Sequence, residues 1–254
     1  MSRVLLIDGD VVLYQFSTAV EIPIRWDDYI WTLHSDAREA MQKVDGWVNK
    51  VMDKLQASKV IMAFSDSDNW RKEVLPTYKE HRKGGRKPLC FKELREYIEN
   101  VYPSMCLPTL EADDVLGMLA TGYKESSLPK EKIIVSIDKD LKTIPGLLYN
   151  PDHPSKGTLT ISQEEADYNH LKQALMGDSV DGYSGCPGIG PKTAEKLLST
   201  PSWNTVVQAY AKAGLTEDDA LVQARVARIL RHGEYNLTHN KVRLWEPPKE
   251  KING

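Results

Sequence analysis

Three apolar, β-branched runs constrain this chain most: residues 3–8 (RVLLID), 59–65 (KVIMAFS) and 132–137 (KIIVSI), each ending on or followed by an aspartate. Runs of that length with almost no polar interruption read as strands buried on both faces, and such strands belong to sheets covered by helices on each side. The intervening sequence supplies the helices. Between the first two runs, Ala37, Met41, Val44, Val48, Val51, Met52 and Leu55 recur at helical spacing and predict a helix over about 36–57. Further helices are expected near 91–101 (Leu94, Ile98, Val101) and 113–123 (Val115, Leu116, Leu119). Strand alternating with helix predicts an α/β fold with a mostly parallel, twisted sheet.

After about residue 150 the texture changes. A strand-like TLTIS (158–162) precedes a helix at about 164–176, the loop GDSVDGYSGCPGIGP, and a helix opening at Pro191. Another helix is expected over about 217–231, with Thr216 as its N-cap and Glu217, Asp218 and Asp219 at its positive end. The expected organisation is an α/β core over 1–160, carrying a basic segment at 71–95, with a helical region at 161–254 packed into the same compact domain. The polar tail 247–254 reads as frayed. The stretch 21–31, rich in tryptophan and acid, fits no pattern and receives no role.

Nine acidic residues give the chain its chemistry: Asp8, Asp66, Glu111, Asp113, Asp114, Asp138, Asp140, Asp178 and Asp181. Several sit where predicted strands end, and the carboxyl ends of strands line the functional crevice of open α/β sheets. Carboxylates converging there repel each other unless cations lie among them, and hard divalent ions take all-oxygen ligands. Glu111 and Asp114 share a face of a helix start, while Asp138 and Asp140 alternate to one side of an extended segment. The pattern points to magnesium-dependent phosphoryl chemistry. Asp10, Asp36 and Asp68 read as turn formers or caps.

Two further motifs point to a nucleic-acid partner, although the net charge of −3 shows no global basic excess. Residues 71–95 hold nine Lys/Arg against three Glu, broken by Pro76, Gly84, Gly85 and Pro88. A cationic loop of this kind attracts phosphates through Lys79, Arg82, Lys83 and Arg86, with His81 beside them, and Tyr78 offers a ring for stacking. GCPGIGPKTAEKLL (185–198) fails as a nucleotide-binding P-loop because Pro191 separates the last glycine from Lys192. It reads instead as a helix-hairpin-helix. A turn through Gly188 and Gly190 exposes N–H groups at a helix N-terminus bearing Lys192 and Thr193, a geometry that grips duplex phosphate without reading sequence.

Other chemistries find no support. The six histidines and three cysteines lack metal-ligand spacing, and the cysteines read as reduced thiols of a cytosolic protein. No serine-nucleophile elbow, N-terminal signal or membrane-length apolar run is visible. The expectation is a soluble, intracellular protein.

LIDGD, AFSDSDNWRKE, YKEHRK, LEADDV, SIDKDLKTIPG and GDSVDGYSGCPGIGPKTAE, in this order, resemble the flap endonuclease (structure-specific 5′ nuclease) superfamily, above all the 5′–3′ exonucleases of bacteriophages. The closing ARILRHGEYN…VRLW extends the likeness over most of the chain. The resemblance implies two-metal hydrolysis of phosphodiesters near DNA 5′ ends in phage DNA replication, with Mg2+ as the ion and Mn2+ as a substitute. It implies one ion among Asp8, Asp66, Glu111 and Asp113, with Asp114 close by. A second would lie among Asp138, Asp140, Asp178 and Asp181. Asp66 and Asp138 are expected to be indispensable for cleavage, Lys79 and Arg82 to contact the scissile phosphate, and Tyr78 to stack on the terminal base. Carbonyls of Cys186, Gly188 and Gly190 match a turn that holds K+ in relatives. Flap cleavage, removal of RNA primers from RNA–DNA hybrids, a monomeric state and the host bacterial cytoplasm are implied as well. The chain departs from many relatives in having Gln15 where they carry an arginine. Its short arch with Gly84-Gly85 favours trimming duplex ends over threading long flaps. Competing readings are a PIN-type ribonuclease and a DNA-end binding protein without catalysis.

Overall fold

The structure, a computed structural model, describes residues 2–82, 84–122 and 131–248. Lys83, Tyr123 and the tail 249–254, all part of sequence expectations, lie outside the described residues. In chain order the strands are β1 (Arg3–Asp8), β2 (Glu21–Arg25), β3 (Trp31–Ser35), β4 (Lys59–Phe64), β5 (Ser104–Cys106), β6 (Glu131–Val135), β7 (Gly146–Tyr149), β8 (Thr158–Ile161), β9 (Tyr235–Asn236) and β10 (Lys241–Val242). The helices are α1 (Gly9–Thr18), α2 (Ala37–Leu55), α3 (Arg71–Val74), α4 (Phe91–Val101), α5 (Ala112–Thr121), α6 (Gln163–Met176), α7 (Pro191–Leu197), α8 (Trp203–Lys212) and α9 (Glu217–Ala227). No described helix is long and apolar enough to cross a membrane.

The expected sheet is present, in the order β5-β4-β1-β6-β7-β8, with β8 running antiparallel to β7 and the other pairs parallel. Strand alternation divides its core between two faces. Val4, Leu6, Ile61 and Ile134 pack under α5, whereas Leu5, Ile7, Met62 and Phe64 meet Val44 and Val48 of α2 and Leu94 and Ile98 of α4. Register then places the site. Leu6 lies opposite both Ile61 and Ile134, so β1, β4 and β6 end at a common edge and deliver Asp8, Asp66 and Asp138 there. Asp36 caps α2 as expected, its carboxylate accepting from Arg38 N, and Thr216 caps α9 in a reciprocal pair with Asp219.

Several features differ from expectation or go beyond it. The stretch 21–31 belongs to a two-stranded hairpin, β2 pairing β3, that adds nothing to the main sheet. Helix α8 and strands β5 and β7 lacked a recognised pattern; β5 has only three residues, β7 only four, and the apolar face of α8 is completed by α6 and α9 rather than by its own sequence. The helix expected to reach residue 231 ends at Ala227, because Arg228 is extended (ψ 117°). The chain after α9 instead returns across the α/β core, where Ile229, Leu230 and Tyr235 pack with Val115, Leu116 and Leu119.

That crossing needs Gly117. A Cβ there would lie 2.3 Å from Leu230 O, a backbone atom that cannot step aside. Gly117→Ala therefore tests how firmly the returning segment is seated. Its helix-propensity gain of about 1 kcal/mol should be outweighed by overpacking of ~1–3 kcal/mol, giving a lower melting temperature in thermal denaturation.

Candidate active site

The sheet edge gathers carboxylates faster than it supplies donors. Asp8 ends β1 and caps α1, accepting Val11 N at 3.1 Å on Oδ1 and Ser136 Oγ at 2.9 Å on Oδ2. Burial nevertheless raises its pKa to about 7, against the Val11 N–H, with repulsion from Asp10 and Asp138 adding to the rise. Asp113, in the first turn of α5, receives no hydrogen bond among the described residues. Burial raises its pKa well above the ordinary range, and Asp8, Asp138 and Glu111 push it further. Ser136 links two of these groups: its hydroxyl donates to Asp8 and accepts Asp138 N at 3.0 Å. Sequence reasoning passed over Ser136, although its place two residues before Asp138 is the signal.

A second acidic group adjoins the first. Asp138 accepts Asp140 N at 2.7 Å. Burial lifts Asp140 to about 6, with repulsion from Asp138, Asp178 and Asp181 outweighing attraction to Lys139. Asp178 and Asp181 share the turn after α6, where Asp178 Oδ1 takes the N–H groups of Val180 and Asp181. The structure thus brings Asp8, Glu111, Asp113, Asp138, Asp140, Asp178 and Asp181 into one continuous acidic surface.

Asp114 is used differently from the expectation. Asp114 is fully buried, and its oxygens accept from Arg71 Nη1 (2.7 Å) and Nη2 (2.8 Å), Trp70 Nε1 (3.1 Å), Leu230 N (3.0 Å) and Glu111 N (3.3 Å). A carboxylate so engaged has no lone pair left for a metal. Asp66 gives one oxygen to Ser67 N (2.7 Å) and the other to Thr109 N (2.8 Å), and these backbone N–H bonds hold its pKa down. Its neighbour Ser65 is held by Asp10, the residue read as a mere turn former: Asp10 Oδ2 accepts Ser65 N at 3.1 Å.

Glu111 carries the cations. Lys79 Nζ stands 2.6 Å from Oε1 and Arg71 Nη1 3.0 Å from Oε2. Burial opposes charge on Glu111, but Arg71 and Lys79 win and take its pKa down to about 2. Lys79 also lies 3.4 Å from Asp181, while Arg82 bonds Asp181 at 2.7 Å and Val180 O at 3.0 Å. Tyr78 corrects the stacking expectation. Its ring is buried (3 % exposed), and its hydroxyl sits 2.9 Å from Glu111 Oε2 and 3.1 Å from Asp181 Oδ2, one proton serving both. The apolar packing of Val74, Leu75, Tyr183, Val226 and Ala227 around the ring explains this burial.

Among the described residues, no group of three or more His, Cys, Asp or Glu side chains is closed up tightly enough to hold a metal ion as it stands. The donor set nonetheless fits hard cations. It is all oxygen, and Asp8, Asp113 and Asp140 are pushed toward protonation by burial and mutual repulsion that positive charge would relieve.

Arg86 is ion-paired in the structure. Its guanidinium clamps Glu21 at the base of the β2–β3 hairpin by two 2.7 Å bonds, and Leu89 N adds a third at 2.8 Å. Gly188 (φ 76°) and Gly190 shape the turn before α7, with Gly190 as N-cap, Pro191 at the first position, and Lys192 and Thr193 exposed. Cys186 is buried; its carbonyl accepts Ile189 N, and that of Gly190 accepts Ala194 N.

Known proteins share this architecture. Residues 3–147 match the family described as 5′–3′ exonuclease, N-terminal resolvase-like domain. The exonuclease of Escherichia phage T7 is 33 % identical over 96 % of this chain and 93 % of its own length, and the exodeoxyribonuclease of Enterobacteria phage T3 matches equally. Flap endonuclease Xni of Shewanella halifaxensis is 34 % identical over 65 % of this chain and 68 % of its own. Among solved structures, the T5 5′-exonuclease with divalent zinc bound superposes with a TM-score of 0.61 at 15 % identity, covering 89 % of this chain and 93 % of that one, which shows a common fold. On these grounds the chain belongs to the 5′–3′ exonuclease family.

Proposed function

We propose that this 5′–3′ nuclease hydrolyses phosphodiesters near DNA 5′ ends with divalent cations held among Asp8, Asp66, Glu111, Asp113, Asp138, Asp140, Asp178 and Asp181. Mg2+ is the working ion and Mn2+ a substitute. One observation carries the reading: Asp8, Asp113 and Asp138 crowd one sheet edge with too few donors to neutralise them. Divalent ions, when bound, ionise water and stabilise a departing oxygen. The chain's own residues do the rest. Lys79 and Arg82, now paired with Glu111 and Asp181, become available to the scissile phosphate as other positive charge takes those carboxylates, and they stabilise charge on it during cleavage. Asp114 holds the helix that aims the ligands. Asp66 and Asp138 remain the acids whose loss is expected to stop cleavage, and Asp113 joins them.

Duplex beyond the cut is gripped at α7, where Lys192, Thr193 and the N–H groups after Gly190 face solvent. The carbonyls of Cys186, Gly188 and Gly190 are the candidate K+ ligands. Lys83 joins the phosphate-binding set by its place in the sequence. RNA–DNA hybrids fit the same backbone-directed grip, and a monomer suffices for it. A second element supports the DNA reading. The β2–β3 hairpin exposes Trp26, Tyr29, Ile30 and Trp31, while its acids Asp27 and Asp28 are occupied by the Tyr29 and Ile30 N–H groups and by Arg25. The Glu21–Arg86 clamp ties the base of this hairpin to the cationic segment, and the exposed rings at its far end offer faces on which unpaired bases can stack.

Three outcomes test this reading. Asp113→Asn and Asp138→Ala should each abolish Mg2+-dependent digestion of 5′-labelled duplex while binding DNA in Ca2+ within about 3-fold of the parent; sizing products from duplex, nicked, flapped and RNA substrates in the same assay separates the nuclease from a PIN-type ribonuclease. Trp31→Ala should weaken binding of substrates with unpaired nucleotides by about 5- to 160-fold (~1–3 kcal/mol per stacked base) and leave blunt duplex unaffected in a binding titration. The third is a pH effect. The folded-state pKa of Asp8 is about 7 against an ordinary value near 4. Its contribution to stability is thus full below about pH 4 and is lost as pH rises to about 7. Saturating Mg2+ should therefore raise the melting temperature at pH 7.5 more than at pH 5.

A further inference from the structure

We infer that Arg71 is a positioning residue for the metal centre, and that it makes the set of Glu111 conditional on the chain segment 226–230. The side chain is 2 % exposed, and every N–H direction of its guanidinium is used. Nε donates to Val226 O (2.9 Å), Nη1 to Glu111 Oε2 (3.0 Å) and Asp114 Oδ2 (2.7 Å), and Nη2 to Asp114 Oδ1 (2.8 Å) and Arg228 O (2.6 Å). Its plane is held from one side by Trp70, 4.7 Å from the ring centroid. Trp70 in turn donates to Asp114.

Three separate stretches meet at this fork: α3 supplies Arg71, α5 and its N-cap supply Asp114 and Glu111, and the end of α9 with the segment after it supplies the Val226 and Arg228 carbonyls and the Leu230 N–H. The last stretch lies 155–157 residues from Arg71 in sequence. It joins α9, which packs on α6 and α8 of the helical region assigned to duplex binding, to the strands over α5. Burial of five polar donors is tolerated only while all five acceptors stay in place, since an orphaned buried charge costs several kcal/mol. Displacement of 226–230 therefore releases Arg71, and a released Arg71 no longer fixes Glu111 Oε2. Lysine cannot substitute, because a single ammonium lacks the planar fork that spans two carboxylates and two carbonyls.

The inference rests on Glu111 being a metal ligand, so the experiment separates the two. Mn2+ binding is measured by calorimetry on the parent, Arg71→Lys and Asp113→Asn, and amide hydrogen exchange is followed with and without Mn2+. Binding and seating of 226–230 are linked, and linkage is reciprocal. Mn2+ should slow exchange of the Leu230 amide in the parent protein several-fold. Arg71→Lys, which keeps the charge, should bind Mn2+ about 10-fold more weakly, as loss of a partner that orients a ligand does, and should lose the Mn2+-dependent protection at Leu230. A purely structural arginine would lower thermal stability and leave Mn2+ affinity unchanged. Parent protein that binds Mn2+ with no change at Leu230 overturns the inference, and this arm decides even where Arg71→Lys does not fold. Wild-type-like Mn2+ binding by Asp113→Asn would instead overturn the metal reading itself.

Discussion

Repulsion among Asp8, Asp113 and Asp138 is the constraint around which the rest of the structure is arranged. Bringing such carboxylates together at the end of a fully buried strand is unfavourable, and the fold pays for it with fixed donors. Val11 N, the Ser136 hydroxyl and the start of α1 face Asp8, each charge-assisted bond contributing roughly 1.5–3 kcal/mol. Those contributions do not suffice, as the upward shifts of Asp8, Asp113 and Asp140 record. Glu111, at the start of α5, is the opposite case: two cations hold it ionised. One surface therefore contains both a charge deficit and a ready-made ion pair, and the deficit is where added cations gain most.

The helical region is tied to that surface by backbone. Glu234 receives Arg228 through two bonds and Arg231 N through a third, which keeps the segment after α9 in its extended path over α5. Gly117 permits the close crossing, and Asp114 accepts the Leu230 amide at its centre. On the other side, the turn carrying Asp178 and Asp181 reaches the basic segment through Lys79 N to Asp181 O, at 2.9 Å, and a Cβ on Gly182 would come within 3.2–3.3 Å of the Thr77 and Lys79 backbone. Two independent seams thus join the region proposed to grip duplex to the edge proposed to cut it.

How much of this was legible in sequence depends on how local each signal is. The strands around Asp8, Asp66 and Asp138, the helix capped by Asp36 and the turn before Pro191 carry their periodicity and caps within a dozen residues, and they stand as expected. Asp114 and Tyr78 were misassigned because composition shows a carboxylate or a ring but not its partners; Arg71, 43 residues away from Asp114, decides what that acid does. Arg86 was read as a phosphate contact, and its partner Glu21 lies 65 residues back in a stretch that fitted no pattern. The hairpin itself was invisible to burial periodicity because nearly all of it is exposed.

Exposure of that hairpin is informative in its own right. Two-stranded ribbons are marginal in water, and β2–β3 is not continued by the main sheet. Its standing therefore depends on the Arg86 fork at its base and on local bonds such as Trp26 Nε1 to Thr32 Oγ1 at 2.9 Å. Aromatic side chains retained in solvent at that cost in hydration are not serving the core; Tyr29 is 93 % exposed. The clamp uses an arginine of the cationic segment, so the base of the hairpin and that segment are joined by one interaction.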